Sequence, residues 1–152
     1  MNFDPIDKKL LQLLQTNSKR TNKELSNVLS LSVTAVYERI RKLEEKGVIS
    51  KYVALVQKEK ANKNFVAFCH VKLIQHTQDS IIKFEKEVAN LAEVMECHHI
   101  SGDYDYLLKV IVSDMEAFRE FMVTKLTSIN HIGSTHSMFV INEVKHTTAI
   151  TI

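Results

Sequence analysis

The 152-residue chain is 45% apolar and 25% charged, with a net charge of +2, which suits one globular domain or two small ones. No apolar run approaches the length of about 18 residues that a membrane-spanning helix needs, and the opening "MNFDPIDKK" lacks the apolar stretch of a secretory leader. Cys69 and Cys97 lie in apolar runs, which fits buried free thiols in a reducing cytoplasm better than a disulfide framework.

The charge is unevenly placed. Residues 1–60 carry 12 Lys and Arg against 7 Asp and Glu, whereas residues 61–152 carry 8 against 11. A basic front and an acidic back suggest two modules, the first facing a polyanion.

Asp4–Pro5 reads as a helix cap, and Ile6, Leu10, Leu13 and Leu14 recur at helical spacing, predicting a helix near 5–16. "TNKE" at 21–24 is a capping box that opens a second helix with Leu25, Val28 and Leu29 inward. After the tight turn "SLS", Ser32 caps a third helix. It buries Val36, Ile40 and Leu43 and stops at Gly47. "VISKYVALV" then reads as extended, and the polar "QKEKANKN" at 57–64 reads as a linker.

Beyond the linker, strands and helices alternate. "FVAFCHVKLI" at 65–74 alternates with period two, and residues 78–91 are helical with Ile81, Phe84, Val88 and Leu91 inward. Strands at 94–101 and 104–112 flank Gly102–Asp103, which fits a two-residue hairpin turn. "SDME" suggests a capping box from Ser113 to Glu116, and Phe118, Met122, Leu126 and Ile129 mark the helix behind it. A last strand is expected at about 134–145. The predicted class is α+β: residues 1–56 as a winged helix-turn-helix, and residues 65–152 as a ferredoxin-like βαββαβ domain.

The third helix follows a short helix and a tight turn, the pattern of a helix-turn-helix whose second helix enters the major groove. Its outer face makes Ser32, Thr34, Ala35, Tyr37, Glu38, Arg41 and Lys42 the candidate DNA contacts. Ser32 and Thr34 suit phosphates or base edges, and Arg41 and Lys42 suit phosphates. Lys19, Arg20 and Lys23 are expected near the DNA backbone. Periodicity alone also permits a protein-docking module.

The stretch "IDKKLLQLLQTNSKRTNKELSNVLSLSVTAVYERIRKLEEKGVISKYVALV" resembles the DNA-binding part of the leucine-responsive regulatory family of transcription factors (Lrp/AsnC, the feast–famine regulators). "ECHHISGDYDYLLKVIVSDMEAFREF" and the late "EVK" at 143–145 resemble that family's effector domain, in the family's order. The resemblance implies a cytoplasmic, nucleoid-associated transcriptional regulator that binds double-stranded DNA. It implies dimers assembling further, often to octamers, with an amino acid or related small molecule held between subunits. Carried over residue by residue, the effector loop is Ser101, Gly102, Asp103, Tyr104, Asp105 and Tyr106. Ser134, Thr135, His136 and Ser137 form a second wall, with Thr135 and Ser137 as its expected contacts. Asp103 or Asp105 would receive an ammonium group, and backbone N–H groups around Gly102 a carboxylate. Glu38 departs from the Arg or other non-acidic residue expected in relatives. It can accept from a cytosine amino group or pair with Arg41 or Lys42.

Other chemistry is poorly supported. Cys97, His98 and His99 are consecutive, so on a strand His98 points away from the other two, a poor start for a metal site. Neighbouring Cys and His on opposite faces also make a poor nucleophile and base. The three glycines, at 47, 102 and 133, form no phosphate-binding loop. No enzyme, cofactor or metal is expected. The alternative function is an amino-acid-binding sensor without specific operator recognition.

Overall fold

The computed structural model describes residues 3–152. Helix α1 (Pro5–Thr16) begins behind Asp4, whose carboxylate accepts the Asp7 N–H at 2.7 Å. Helix α2 (Asn22–Leu29) opens on a complete capping box: Thr21 Oγ1 accepts the Glu24 N–H at 3.2 Å, and Glu24 Oε2 accepts the Thr21 N–H at 2.7 Å. Ser30 ends α2 in the left-handed region, φ +55°, which releases the chain into a sharp turn. Helix α3 (Val33–Glu45) starts where Ser32 Oγ accepts the Ala35 N–H at 3.1 Å and stops before Gly47, φ +68°. Leu10, Leu11, Leu14, Leu25, Val36 and Leu43 bury together between the three helices.

The chain divides into two compact units. One holds the described residues up to Leu55 together with Val144–Ile152; the other is Val56–Glu143. This differs from the expected 57–64 linker and 65–152 domain at both ends. Residues 57–63 fold into turns closed by backbone bonds such as Lys63 N–H to Lys58 O at 2.8 Å. The last residues belong with the helical unit. There the Gln15 side chain donates to Ile150 O at 3.0 Å and accepts the Ile150 N–H at 2.8 Å. Residues 48–56, expected to be extended, contain no strand. Tyr52 Oη instead donates to Glu44 Oε1 at 2.9 Å, and burial then contact with Glu44 push its phenol up to about 12.

The second unit runs β1 (Phe65–Leu73), α4 (Gln78–Ala89), β2 (Val94–His99), β3 (Tyr106–Val112), α5 (Met115–Thr124) and β4 (Ile132–Phe139), with a 3₁₀ turn at Leu126–Ser128. The sheet order is β2-β3-β1-β4, every pair antiparallel, the split arrangement expected. Alternation places Ala67, Cys69, Val71 and Leu73 with Tyr106, Leu108, Val110 and Val112 against Phe84, Val88, Phe118 and Phe121 of the helices. Phe65, Phe118 and Phe139 cluster with ring centroids 5.2–5.6 Å apart.

Three local expectations are corrected. Asp114, not Ser113, caps α5: its carboxylate accepts the Ala117 N–H at 2.9 Å, because a one-residue shift puts the stronger cap at the helix mouth. Strand β4 spans 132–139 rather than 134–145, since the chain then leaves the sheet for the first unit. The hairpin has a six-residue loop, 100–105, instead of a two-residue turn. Strand pairing ends at His99–Tyr106, and the Ile100 N–H donates to Asp105 O at 2.8 Å. Gly102 sits at φ +125° in that loop, a conformation that a side chain would strain.

Candidate DNA-binding helix and effector loop

On α3, Val36 is wholly buried and Leu43 nearly so, with Ile40 half-buried beside them. That stripe turns Ser32, Thr34, Tyr37, Glu38, Arg41 and Lys42 to solvent; Ala35 lies half-buried on the flank. Lys19 and Lys23 are exposed and Arg20 is half-buried. All seven predicted DNA contacts therefore share one helix and its cap. Arg41 Nε donates to Glu45 Oε1 at 2.8 Å, one turn on, while both side chains stay more than half exposed. Glu45 first, then Glu38 at longer range, favour the Arg41 charge. Glu38 is thus not the direct partner of Arg41.

Sequence reasoning missed Arg39. Its Nη1 donates to Asp4 Oδ2 and Asp7 Oδ1, each at 2.6 Å. It clamps α3 to the mouth of α1, so the guanidinium is occupied within the unit. The signal was available: Arg39 lies three residues past buried Val36, and two acids open α1.

The predicted effector residues separate into groups. Ser101, Gly102 and Asp103 are exposed in the loop. Tyr104 turns to the sheet face opposite the helices, its ring 5.0 Å from that of His70 and 6.3 Å from that of His136. Asp105 is tied inward: Oδ2 accepts the Leu73 N–H at 2.7 Å, and Oδ1 lies 2.8 Å from His76 Nε2. Its own N–H donates to Val71 O at 2.9 Å. Partial burial pushes its carboxyl up, but the Leu73 N–H and His76 outweigh that and hold it below the usual carboxylate range. Tyr106 is 1% exposed and belongs to the core; its hydroxyl donates to Glu85 Oε1 at 2.9 Å, and its ring packs on Phe84. It cannot line an open pocket in this arrangement. Thr135 and Ser137 pair with Val71 and Cys69 and share their helix-facing side; Ser137 Oγ donates weakly to Cys69 Sγ at 3.5 Å. The β4 residue facing Tyr104 is instead His136. Parity along the strand could have indicated this, since His136 registers with His70.

Cys97 and His99 face the helices while His98 faces away, paired with Glu96 at 3.2 Å. His99 stacks on Tyr106, ring centroids 4.7 Å apart. Cys97 is exposed, contrary to the expected buried thiol, because edge strand β2 leaves it at the rim. Desolvation and then the Glu85 charge push its thiol up to about 11, which keeps it protonated and unreactive at neutral pH. Among the described residues, no three or more His, Cys, Asp or Glu side chains are grouped to hold a metal, and no helix is long and apolar enough to cross a membrane.

These features define a class: a helix-turn-helix protein whose second unit is a ferredoxin-like α+β domain with an elaborated hairpin loop at one end of its sheet. Residues 3–50 match the winged helix-turn-helix DNA-binding family model, and residues 66–150 match the Lrp/AsnC ligand-binding domain. The leucine-responsive regulatory protein of Haemophilus influenzae is 37% identical over 145 residues, covering 95% of this chain and 87% of that protein. A transcriptional regulator from Neisseria meningitidis, solved in complex with L-Met, superposes with a TM-score of 0.94 at 36% identity over 98% of this chain and 96% of that one. An AsnC-family regulator from Agrobacterium tumefaciens superposes with a TM-score of 0.93 at 34% identity, covering 97% and 96%. The chain belongs to the Lrp/AsnC family of transcriptional regulators. It is a DNA-binding regulator with a ligand-binding domain, not an enzyme.

Proposed function

We propose that α3 reads duplex DNA from a dimer, two copies entering successive major grooves, and that an amino acid bound near loop 100–105 between subunits changes assembly or DNA affinity. The observation that carries the first part is the outward face of α3, where Thr34, Tyr37, Arg41 and Lys42 stand clear of the core. Ser32 and Thr34 offer hydroxyls at the helix N-terminus, and Arg41 and Lys42 offer charge for phosphates. Glu38 accepts from a base amino group rather than from Arg41.

The effector reading is supported by the loop's geometry and by the Neisseria relative's complex with L-Met. Asp105 and Asp103 receive the ammonium, backbone N–H groups around Gly102 face the carboxylate, and Tyr104 with His136 forms the wall. Thr135 and Ser137, turned to the helix-facing side of β4, hold the strand in place beside that wall rather than touch the ligand. Tyr106 supports the loop from the core.

The dimer forms on the sheet face away from the helices. Strand parity assigns Phe68, Leu107, Ile111 and Met138 to that face, and Met138 is 44% exposed. An apolar sheet face without a helix over it favours a second copy. Exposed Val53, Leu55 and Val56 add a further apolar segment for pairing, and dimers assemble on to octamers. The protein works in the cytoplasm on the nucleoid.

The test is selection of genomic fragments by the pure protein, with and without each of the twenty amino acids. Selected fragments should share a two-fold-related motif, and one amino acid should change their recovery. The alternative, a sensor without operator recognition, is favoured by the Arg41–Glu45 pair, which spends a basic side chain within the helix. Affinity for all duplexes that is weak and indifferent to salt would support it.

A further inference from the structure

Both oxygens of the Asp105 carboxylate already have a partner. Oδ2 holds the Leu73 N–H at 2.7 Å, a part-buried backbone bond fixed by the β1 strand. Oδ1 is held by His76 Nε2 at 2.8 Å. The two partners differ in exposure. Leu73 is 3% exposed, whereas the His76 side chain is 57% exposed and the Asp105 side chain only 17%. An incoming ammonium can displace the imidazole but not the backbone N–H. His76 also lies between Ile74, whose N–H is fixed to His131 O at 2.8 Å, and Thr77, the cap of α4. Its backbone is therefore flanked by anchored residues on both sides, while its ring is mostly exposed.

We infer that His76 is an internal competitor for the effector's ammonium group at Asp105, so that effector affinity rises as His76 loses its proton. This rests on the effector reading above. In the free protein the imidazole satisfies Oδ1 of a half-buried carboxylate whose other oxygen is held by the Leu73 N–H. Protonated, it is an ion-pair partner and resists displacement; neutral, it donates one ordinary hydrogen bond and yields. The other charged or titratable groups acting on Asp105 are Lys72 on β1 and Tyr106 on β3, and His131 before β4 holds the Ile74 N–H through its carbonyl. Of these only His131 is a second histidine, so it needs its own control.

The experiment is calorimetric titration of the full-length protein with each of the twenty amino acids, L-methionine first, between about pH 5.5 and 7.5. The proteins are the wild type, His76→Ala, His76→Gln, His131→Gln and Asp105→Asn. For the amino acid that binds, wild-type affinity should rise about two- to fivefold across that range, the scale of an exposed charge pair. His76→Ala should bind about two- to fivefold tighter at the acid end and lose the pH dependence. His76→Gln should lose the pH dependence while keeping a donor, and His131→Gln should behave as wild type. Weaker binding in His76→Ala, or an unchanged pH slope, overturns the inference while leaving an amino-acid effector intact. Binding retained by Asp105→Asn with wild-type affinity and slope does the same. If no amino acid binds any of the proteins, the effector reading itself falls and the role of His76 falls with it.

Discussion

Arg41→Ala tests the DNA-facing assignment of α3 most sharply. The side chain is 57% exposed, and its hydrogen-bonded partner is Glu45, one turn on and 60% exposed. Removing it should leave the core of Leu10, Leu25, Val36 and Leu43 intact, so the thermal midpoint should scarcely move. DNA binding should change in a defined way. Each neutralised phosphate contributes about −0.9 to the slope of log affinity against log salt. Losing one contact therefore makes the slope shallower by about 0.9. Between about 50 and 200 mM salt, the affinity gap between wild type and variant should shrink roughly 3.5-fold. Fluorescence anisotropy with a labelled duplex at four or five salt concentrations measures it. Parallel salt lines for wild type and variant would refute a phosphate contact by Arg41, and a lowered thermal midpoint would show the residue to be structural instead.

Four further outcomes follow from named contacts. Phe84→Ala should cost about 3–5 kcal/mol in a urea melt, because Phe84 is 1% exposed with its ring 4.6 Å from that of Tyr106. Tyr106→Phe should cost about 1 kcal/mol through the lost bond to Glu85 and leave amino-acid binding unchanged; lost binding would return Tyr106 to the pocket. Arg39→Ala should lower the thermal midpoint, since it releases both Asp4 and Asp7, and an unchanged midpoint would remove the clamp. Asp105 sits below its unfolded value of about 3.9. Its contribution to stability is therefore present above that pH and fades as pH falls through the folded value. Asp105→Asn should flatten this part of the acid limb in urea midpoints measured between about pH 2 and 6, while Asp4, Glu24, Glu93, Glu96 and Asp114, also held low, keep the rest of the limb.

Much of this was legible in residue spacing. The caps at Asp4, Thr21 and Ser32 follow from short polar side chains reaching backbone N–H groups three residues on, a local effect that sequence displays directly. The alternation in "FVAFCHVKL" and "YLLKVIV" fixed which face of the sheet is core, and the βαββαβ order followed. What spacing hid was non-local. Nothing near Asp105 in sequence indicates that its carboxylate reaches the end of β1 and His76, about 30 positions away. Gly102–Asp103 satisfies a two-residue turn locally, whereas Asp105, tied to the end of β1, lies in a six-residue loop. The tail at 144–152 joins the helical unit through Gln15, a pairing across 135 positions that no pattern announces. Likeness to a motif puts Tyr106 in the site, whereas its parity with Leu108 and Val110 puts it in the core.

The central claim is that one chain couples an amino acid to DNA. It is tested most directly by measuring affinity for a selected duplex with and without a saturating amino acid, together with affinity for that amino acid with and without the duplex. Binding linkage requires the two ratios to agree. The account predicts equal ratios different from one, and loss of the coupling in Asp105→Asn with DNA binding retained. Ratios of one for every amino acid, in protein that binds the duplex well, would contradict it.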